Sequence, residues 1–137
     1  MSLLSVTNSS WALLRHTIVP NKTVLLTGLT DTFITYGHPI FECSTLFVDN
    51  CDKEWTFRHL NRYRFPHLHT LWLNSHPEHM LLNILRDTNR VYLTRKYKVM
   101  NDVEIQLNNI EYKYLCKLDV IDEQTFMTEL GKYPRIV

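Results

Sequence analysis

CSTLFVDNC (43–51) and LHTLWLNSH (68–76) carry one pattern twice. Cys43, Leu46, Val48 and Cys51 take relative positions 1, 4, 6 and 9. Leu68, Leu71, Leu73 and His76 take the same positions 25 residues later. Between them, Asp52 to Pro66 is a polar and aromatic segment of helix-compatible length. A strand core, a helical return and a second strand core make one supersecondary unit. Recurrence at a period of about 20 to 29 residues marks a stacked architecture, in which each unit buries a face against the next.

The pattern extends both ways from this pair. With position 4 as marker, Val24, Leu46, Leu71, Val91 and Leu118 follow one another at 22, 25, 20 and 27 residues. Asn21, Val24, Leu26 and Leu29 fill the four positions upstream, Val91 and Leu93 keep the inward pair, and Leu115, Leu118 and Val120 end the series. Leu46, Val48, Leu71, Leu73, Val91, Leu93, Leu118 and Val120 are therefore expected to be buried in neighbouring parallel strands of one sheet. Ahead of the series, Asn8 or Ser9 caps a predicted helix carrying Trp11, Leu14 and Ile18 on one stripe, and Pro20 ends it. Asp31 to Phe41 reads as a partly extended return limb. Asp52 caps a second helix to about Tyr63, closed by Pro66. A third starts near Pro77 with Met80, Leu81, Ile84 and Leu85 inward. The last runs from Asp122 to Gly131 with Phe126, Met127 and Leu130 inward.

The long final interval contains a second kind of pattern. Val103, Ile105 and Leu107 alternate with Glu104 and Gln106, and Ile110, Tyr112 and Tyr114 alternate with Glu111 and Lys113. Asn108-Asn109 lies between them, and asparagine tolerates the positive φ of a two-residue hairpin. Folding there sets Leu107 against Ile110, Ile105 against Tyr112 and Val103 against Tyr114. An isolated hairpin is marginal in water, so its apolar face needs a cover. Its own solenoid, the apolar tail Tyr133 to Val137 and a second copy of the chain are the candidates; a second copy is the expected one, making these six residues the self-association candidates.

The repeat resembles the leucine-rich-repeat family from about Asn21 to Val120. The resemblance implies an α/β fold: a short, irregular solenoid of about five coils with a β-hairpin insertion. Cys51 alone supplies the family's Asn or Cys at position 9; Leu29, His76 and Lys96 stand at the others. Members of that family are overwhelmingly binding modules, so the resemblance implies a protein partner and no catalysis. The chain divides as one domain, 1–137, with a capping helix in 1–20, repeat coils in 21–98, the hairpin in 99–114, and the last coil and C-terminal cap in 115–137. Its Asn-, Tyr- and His-rich, Gly-poor composition, with short degenerate repeats, also resembles proteins encoded by large DNA viruses of protists.

A chain of 137 residues is long enough for one core, and 45% hydrophobic with 12% aromatic residues places it among globular proteins. A net charge of +1 gives no global attraction to nucleic acid or membrane. No apolar run approaches a membrane span, and the opening MSLLSV lacks the basic flank of a signal peptide. The Asn8 and Asn21 sequons are then chance matches. Three cysteines, Cys43, Cys51 and Cys116, leave one unpaired in any disulfide scheme, and two hold inward repeat positions. Reduced, buried thiols in an intracellular protein, cytoplasmic or nuclear, are expected, or a place in the host cell or virion for a viral protein.

Chemistry-bearing residues are few. His67, His69, His76 and His79 could suggest zinc, but no Cys-x-x-Cys accompanies them and HPEH (76–79) lacks the His-Glu-x-x-His spacing. They read as surface histidines and a helix cap, with no metal and no cofactor. WTFRHLNRYRF (55–65) interleaves three arginines with four aromatics. With Arg95 and Lys96 one or two coils on, Arg58, Arg62 and Arg64 form the alternative site, for nucleic acid. Their plainer role is an aromatic inner face with arginines reaching outward. No glycine-flanked nucleophile or phosphate loop is present. The expected function is a non-enzymatic interaction or structural module that self-associates as a homodimer.

Overall fold

The computed structural model describes residues 2–14, 16–30, 40–52, 60, 64–74, 88–94 and 117–136. Its main element is a parallel sheet. Strands β1 (Leu3–Val6), β3 (Thr23–Thr27), β5 (Thr45–Asp49), β6 (Thr70–Asn74), β7 (Arg90–Thr94) and β8 (Leu118–Ile121) lie side by side in chain order. β9 (Arg135–Ile136) returns to the far edge and pairs with β1. A second, two-stranded sheet joins β2 (Ile18–Val19) to β4 (Ile40–Phe41). Two helices complete the described elements: α1 (Asn8–Leu14) and α2 (Glu123–Leu130). All described strand pairs are parallel, and there is no closed barrel among them.

Register follows the sequence repeat. Leu4, Val24, Leu46, Leu71, Val91 and Leu118 are successive partners across the sheet, as are Val6, Leu26, Val48, Leu73, Leu93 and Val120. The residue before each strand repeats its backbone bonding. The Lys22 carbonyl accepts from Ser44 N–H (2.8 Å) and Thr45 N–H (3.0 Å), Ser44 from His69 and Thr70, and His69 from Asn89 and Arg90. Strands β3 and β5 are left through matching turns at Gly28 (φ 69°) and Asn50 (φ 52°). Gly28 N–H donates to the Asn50 carbonyl at 3.0 Å. Glycine and asparagine are the residues that enter this left-handed region at least cost.

On the inner side of the sheet, positions 4 and 6 form a continuous apolar layer, with Cys43, Leu60 and Leu29 buried in it. Behind it Trp11, Phe41 and Phe65 form a ring series, with centroids 6.1 and 5.6 Å apart. The small sheet bounds this side: Ile18 pairs with Ile40, which bridges to Arg64. The Asp31–Phe41 limb thus ends extended, as its sequence suggests.

Several expectations are corrected. The N-terminal segment 1–20 is more than a capping helix, because Leu4 and Val6 hold positions 4 and 6 of a further strand, β1. The cap of α1 is Thr7, whose carbonyl accepts from Trp11 N–H at 2.8 Å. Asn8 turns instead to Thr30, accepting from its N–H at 3.2 Å. α1 stops at Leu14, so Ile18 leaves the stripe and sits 53% exposed in β2. Two β-branched residues followed by Pro20 favour extension there over helix. In α2, Phe126 and Leu130 are buried but Met127 is 44% exposed. Leu118 and Val120 are half-buried, because β8 is the last strand of the sheet. The predicted helices after Asp52 and Pro77 fall almost wholly outside the described residues; Leu60, within the span of the first, is buried. The hairpin lies outside them altogether.

Candidate binding face

Strand alternation turns the residue between positions 4 and 6 to the opposite, outer face. Leu25, Phe47, Trp72, Tyr92 and Asp119 are the in-register residues at that place. Three are rings, and neighbouring strands stack them. Phe47 and Trp72 lie 5.5 Å apart at 13°, and Trp72 and Tyr92 lie 3.9 Å apart at 16°. The parallel register forces this, since it places like positions one strand spacing apart.

The outer face is half covered. Asp122 caps α2 by accepting from Thr125 N–H (2.7 Å) and Thr125 Oγ1 (2.6 Å), which holds its carboxyl below the usual range. α2 buries Phe126 and Leu130 among Leu3, Leu25 and Phe47. Phe126 and Tyr133 both meet Phe47 edge-on, at 5.6 and 5.7 Å. The chain then reaches the β1 edge, where Leu3 N–H donates to the Pro134 carbonyl at 2.8 Å. Beyond this cover, Trp72 and Tyr92 remain half-buried. Beside them Arg90 and Asp119 form an ion pair of 3.2 Å with side chains near half exposure, which contributes about 0–1 kcal/mol.

A polar row crosses the C-terminal ends of the same strands. Asn74 Nδ2 donates to Asp49 Oδ1 at 2.8 Å and to Glu123 Oε1 at 3.4 Å, and Thr94 Oγ1 donates to Asn74 Oδ1 at 2.6 Å. Asn74 and Thr94 are buried. Asn74→Ala removes the shared partner of a carboxylate and a buried hydroxyl, so a loss of about 1–3 kcal/mol is expected. Urea unfolding measures it. The row ties the start of α2 to β6 and belongs to the fold more than to chemistry. Among the described residues no group of three His, Cys, Asp or Glu could hold a metal.

The structure separates the residues singled out from the sequence. Arg64 is exposed on the small-sheet side, across the core from the outer face. Arg58, Arg62, Arg95 and Lys96 lie outside the described residues, as do the self-association candidates Val103, Ile105, Leu107, Ile110, Tyr112 and Tyr114. His67 and His69 are exposed, and His69 Nδ1 is 2.9 Å from Thr70 Oγ1. His76 and His79 are not among the described residues. The repeat positions 4 and 6 do not include the aromatic row, but the sequence carries its signal: Leu25, Phe47, Trp72 and Tyr92 make each strand continuously apolar. That is the mark of a parallel strand covered on both faces.

Cys43 is buried, and Cys51 donates from Sγ to the Leu26 and Asp49 carbonyls at 3.4 and 3.5 Å. Both are free thiols, and burial pushes each from 9.0 up to about 12. Cys116 is outside the described residues. The folded state holds these two protons more tightly than the unfolded state does. The thiols' contribution is therefore fully present below pH 9 and is lost as pH rises towards 12. Alkylation at pH 8 should be slow at both sites in native protein and rapid in urea; rapid native labelling of both contradicts the burial.

Residues 24–103, which include all of β3 but its first residue, β5, β6, β7 and the whole aromatic row, match a family of unknown function, DUF5845. The chain belongs to that family. Two similar proteins come from Acanthamoeba polyphaga mimivirus. The DUF5845 chain is 40% identical over 90 residues to "Uncharacterized protein L163", covering 66% of itself and 65% of that protein. It is 32% identical over 123 residues to "Uncharacterized protein R849", covering 90% of itself and 81% of the relative. The match thus spans under two thirds of the first relative's length. These relatives support a viral origin. No solved structure matches the DUF5845 chain. No described helix is long and apolar enough to cross a membrane.

Proposed function

We propose that this viral protein is a non-enzymatic interaction or structural module, built as a short leucine-rich-repeat-like solenoid, that binds protein partners and self-associates. The outer sheet face carries the reading: Trp72 and Tyr92 stack in register and stay half-buried beside the Arg90–Asp119 pair. Half-buried rings with a polar rim are the composition of protein interfaces. The solenoid reading draws support from two parallel sheets with one repeat between their strands, and from the matched turns at Gly28 and Asn50.

Self-association is assigned to Val103, Ile105, Leu107, Ile110, Tyr112 and Tyr114, whose sequence alternation predicts one apolar hairpin face in the segment that precedes β8 in the chain. A two-fold dimer is the commonest soluble oligomer. Light scattering is expected to show a dimer that Ile105→Asp combined with Tyr112→Asp converts to a folded monomer. A dimer unaffected by the pair would move the interface elsewhere. The nucleic-acid alternative predicts binding that weakens steeply with salt, because phosphate contacts release counterions.

A further inference from the structure

We infer that the outer sheet face is a receptor for the helix–strand segment 122–136, filled here from within the chain and open to the same segment of a second copy. The inference rests on the reading that copies of this chain associate, and adds to the hairpin a second contact between them, the exchanged segment. Phe126 and Leu130 dock on Leu3, Leu25 and Phe47, and Tyr133 docks on Phe47. Glu123 meets Asn74, and β9 adds to β1. Leu3, Leu25, Phe47 and Asn74 lie on β1, β3, β5 and β6; β8, the strand that leads into the segment, adds only its last residue, the half-buried Ile121. Asp122 alone joins β8 to α2, in extended backbone (φ −85°, ψ 165°) and exposed. The same contacts are therefore available to a segment arriving from another chain.

The segment has the form of a ligand. α2 has eight residues, too few to be stable alone in water, so its helix is ordered by docking. The two-residue strand that follows lengthens a sheet at its edge, a recurrent mode of peptide capture. The face and its cover also differ in their relation to the family. Leu25, Phe47, Trp72 and Tyr92 lie inside the family match of 24–103, whereas the cover, α2 and β9, lies outside it, as does the receptor's edge strand β1. Tethering raises the segment's effective concentration to about millimolar, so the internal copy suppresses binding from outside until its anchors are removed.

The test uses the full chain and a labelled synthetic peptide of residues 121–137. The full-length Phe126→Ala, Leu130→Ala variant should bind this peptide at least about tenfold more tightly than unmodified protein does, tethering being the difference. A peptide carrying the same two alanines should not bind. Failure of the natural peptide to bind a variant that keeps its far-UV circular dichroism overturns the inference. Should the variant not fold, hydrogen exchange in the unmodified protein decides. Amides of 123–136 exchanging through an opening that leaves β5 and β6 protected support the inference; exchange only together with β5 and β6 overturns it. The two readings fail separately. A dimer without peptide binding ends the exchange and keeps self-association, whereas peptide binding by a strictly monomeric protein keeps the receptor and ends self-association.

Discussion

Phe47→Ala is expected to destabilise the protein by about 3–5 kcal/mol, the range for removing a fully buried phenylalanine. Phe47 has no exposed surface, although it points away from the inner core. Its ring contacts Trp72 on one side and meets the edges of Phe126 and Tyr133. The substitution therefore opens a cavity and removes the surface against which α2 is held. Partial loss of α2 should raise its amide exchange well above that of the inner strands. Urea unfolding measures the first effect and native hydrogen exchange the second. An outward strand residue facing water would change stability by only about 0.5 kcal/mol. A value that small would mean that the outer face is open.

Leu71→Ala should cost about 2–5 kcal/mol on the inner side of the same sheet. Leu71 is fully buried between Leu46 and Val91, its register partners on either side. Each repeat buries its neighbours, so the loss is felt on both sides of β6. Urea unfolding should stay a single transition with a lowered midpoint. A second transition would show that the repeats unfold separately, which the shared inner layer argues against.

The inner half of this fold was legible because it is periodic. Leu46, Val48, Leu71 and Leu73 recur at a fixed spacing with inward parity, and the parallel register follows from that spacing. The start of the last helix at Asp122 was legible too, and its capping contact is local, since a carboxylate three residues before Thr125 can reach its N–H. The outer half depends on contacts between residues far apart in sequence. Nothing within 122–136 says that Phe126 will meet Phe47, and helix spacing alone placed Met127 beside Phe126 as an inward residue. β1 was hidden by its shortness, with Leu4 and Val6 separated by a serine. The candidate face followed the same division: the rings at 47, 72 and 92 could have been noticed as a third apolar column. Their half-covered state could not, because it depends on where the C-terminal segment lands.

Our proposal makes this chain an interaction module that associates with itself. Light scattering of the unmodified protein over a wide concentration series tests it most directly. Self-association gives a mass twice that of the 16.4 kDa chain, falling towards the single-chain value only on dilution. A concentration-independent mass of 16.4 kDa would contradict it.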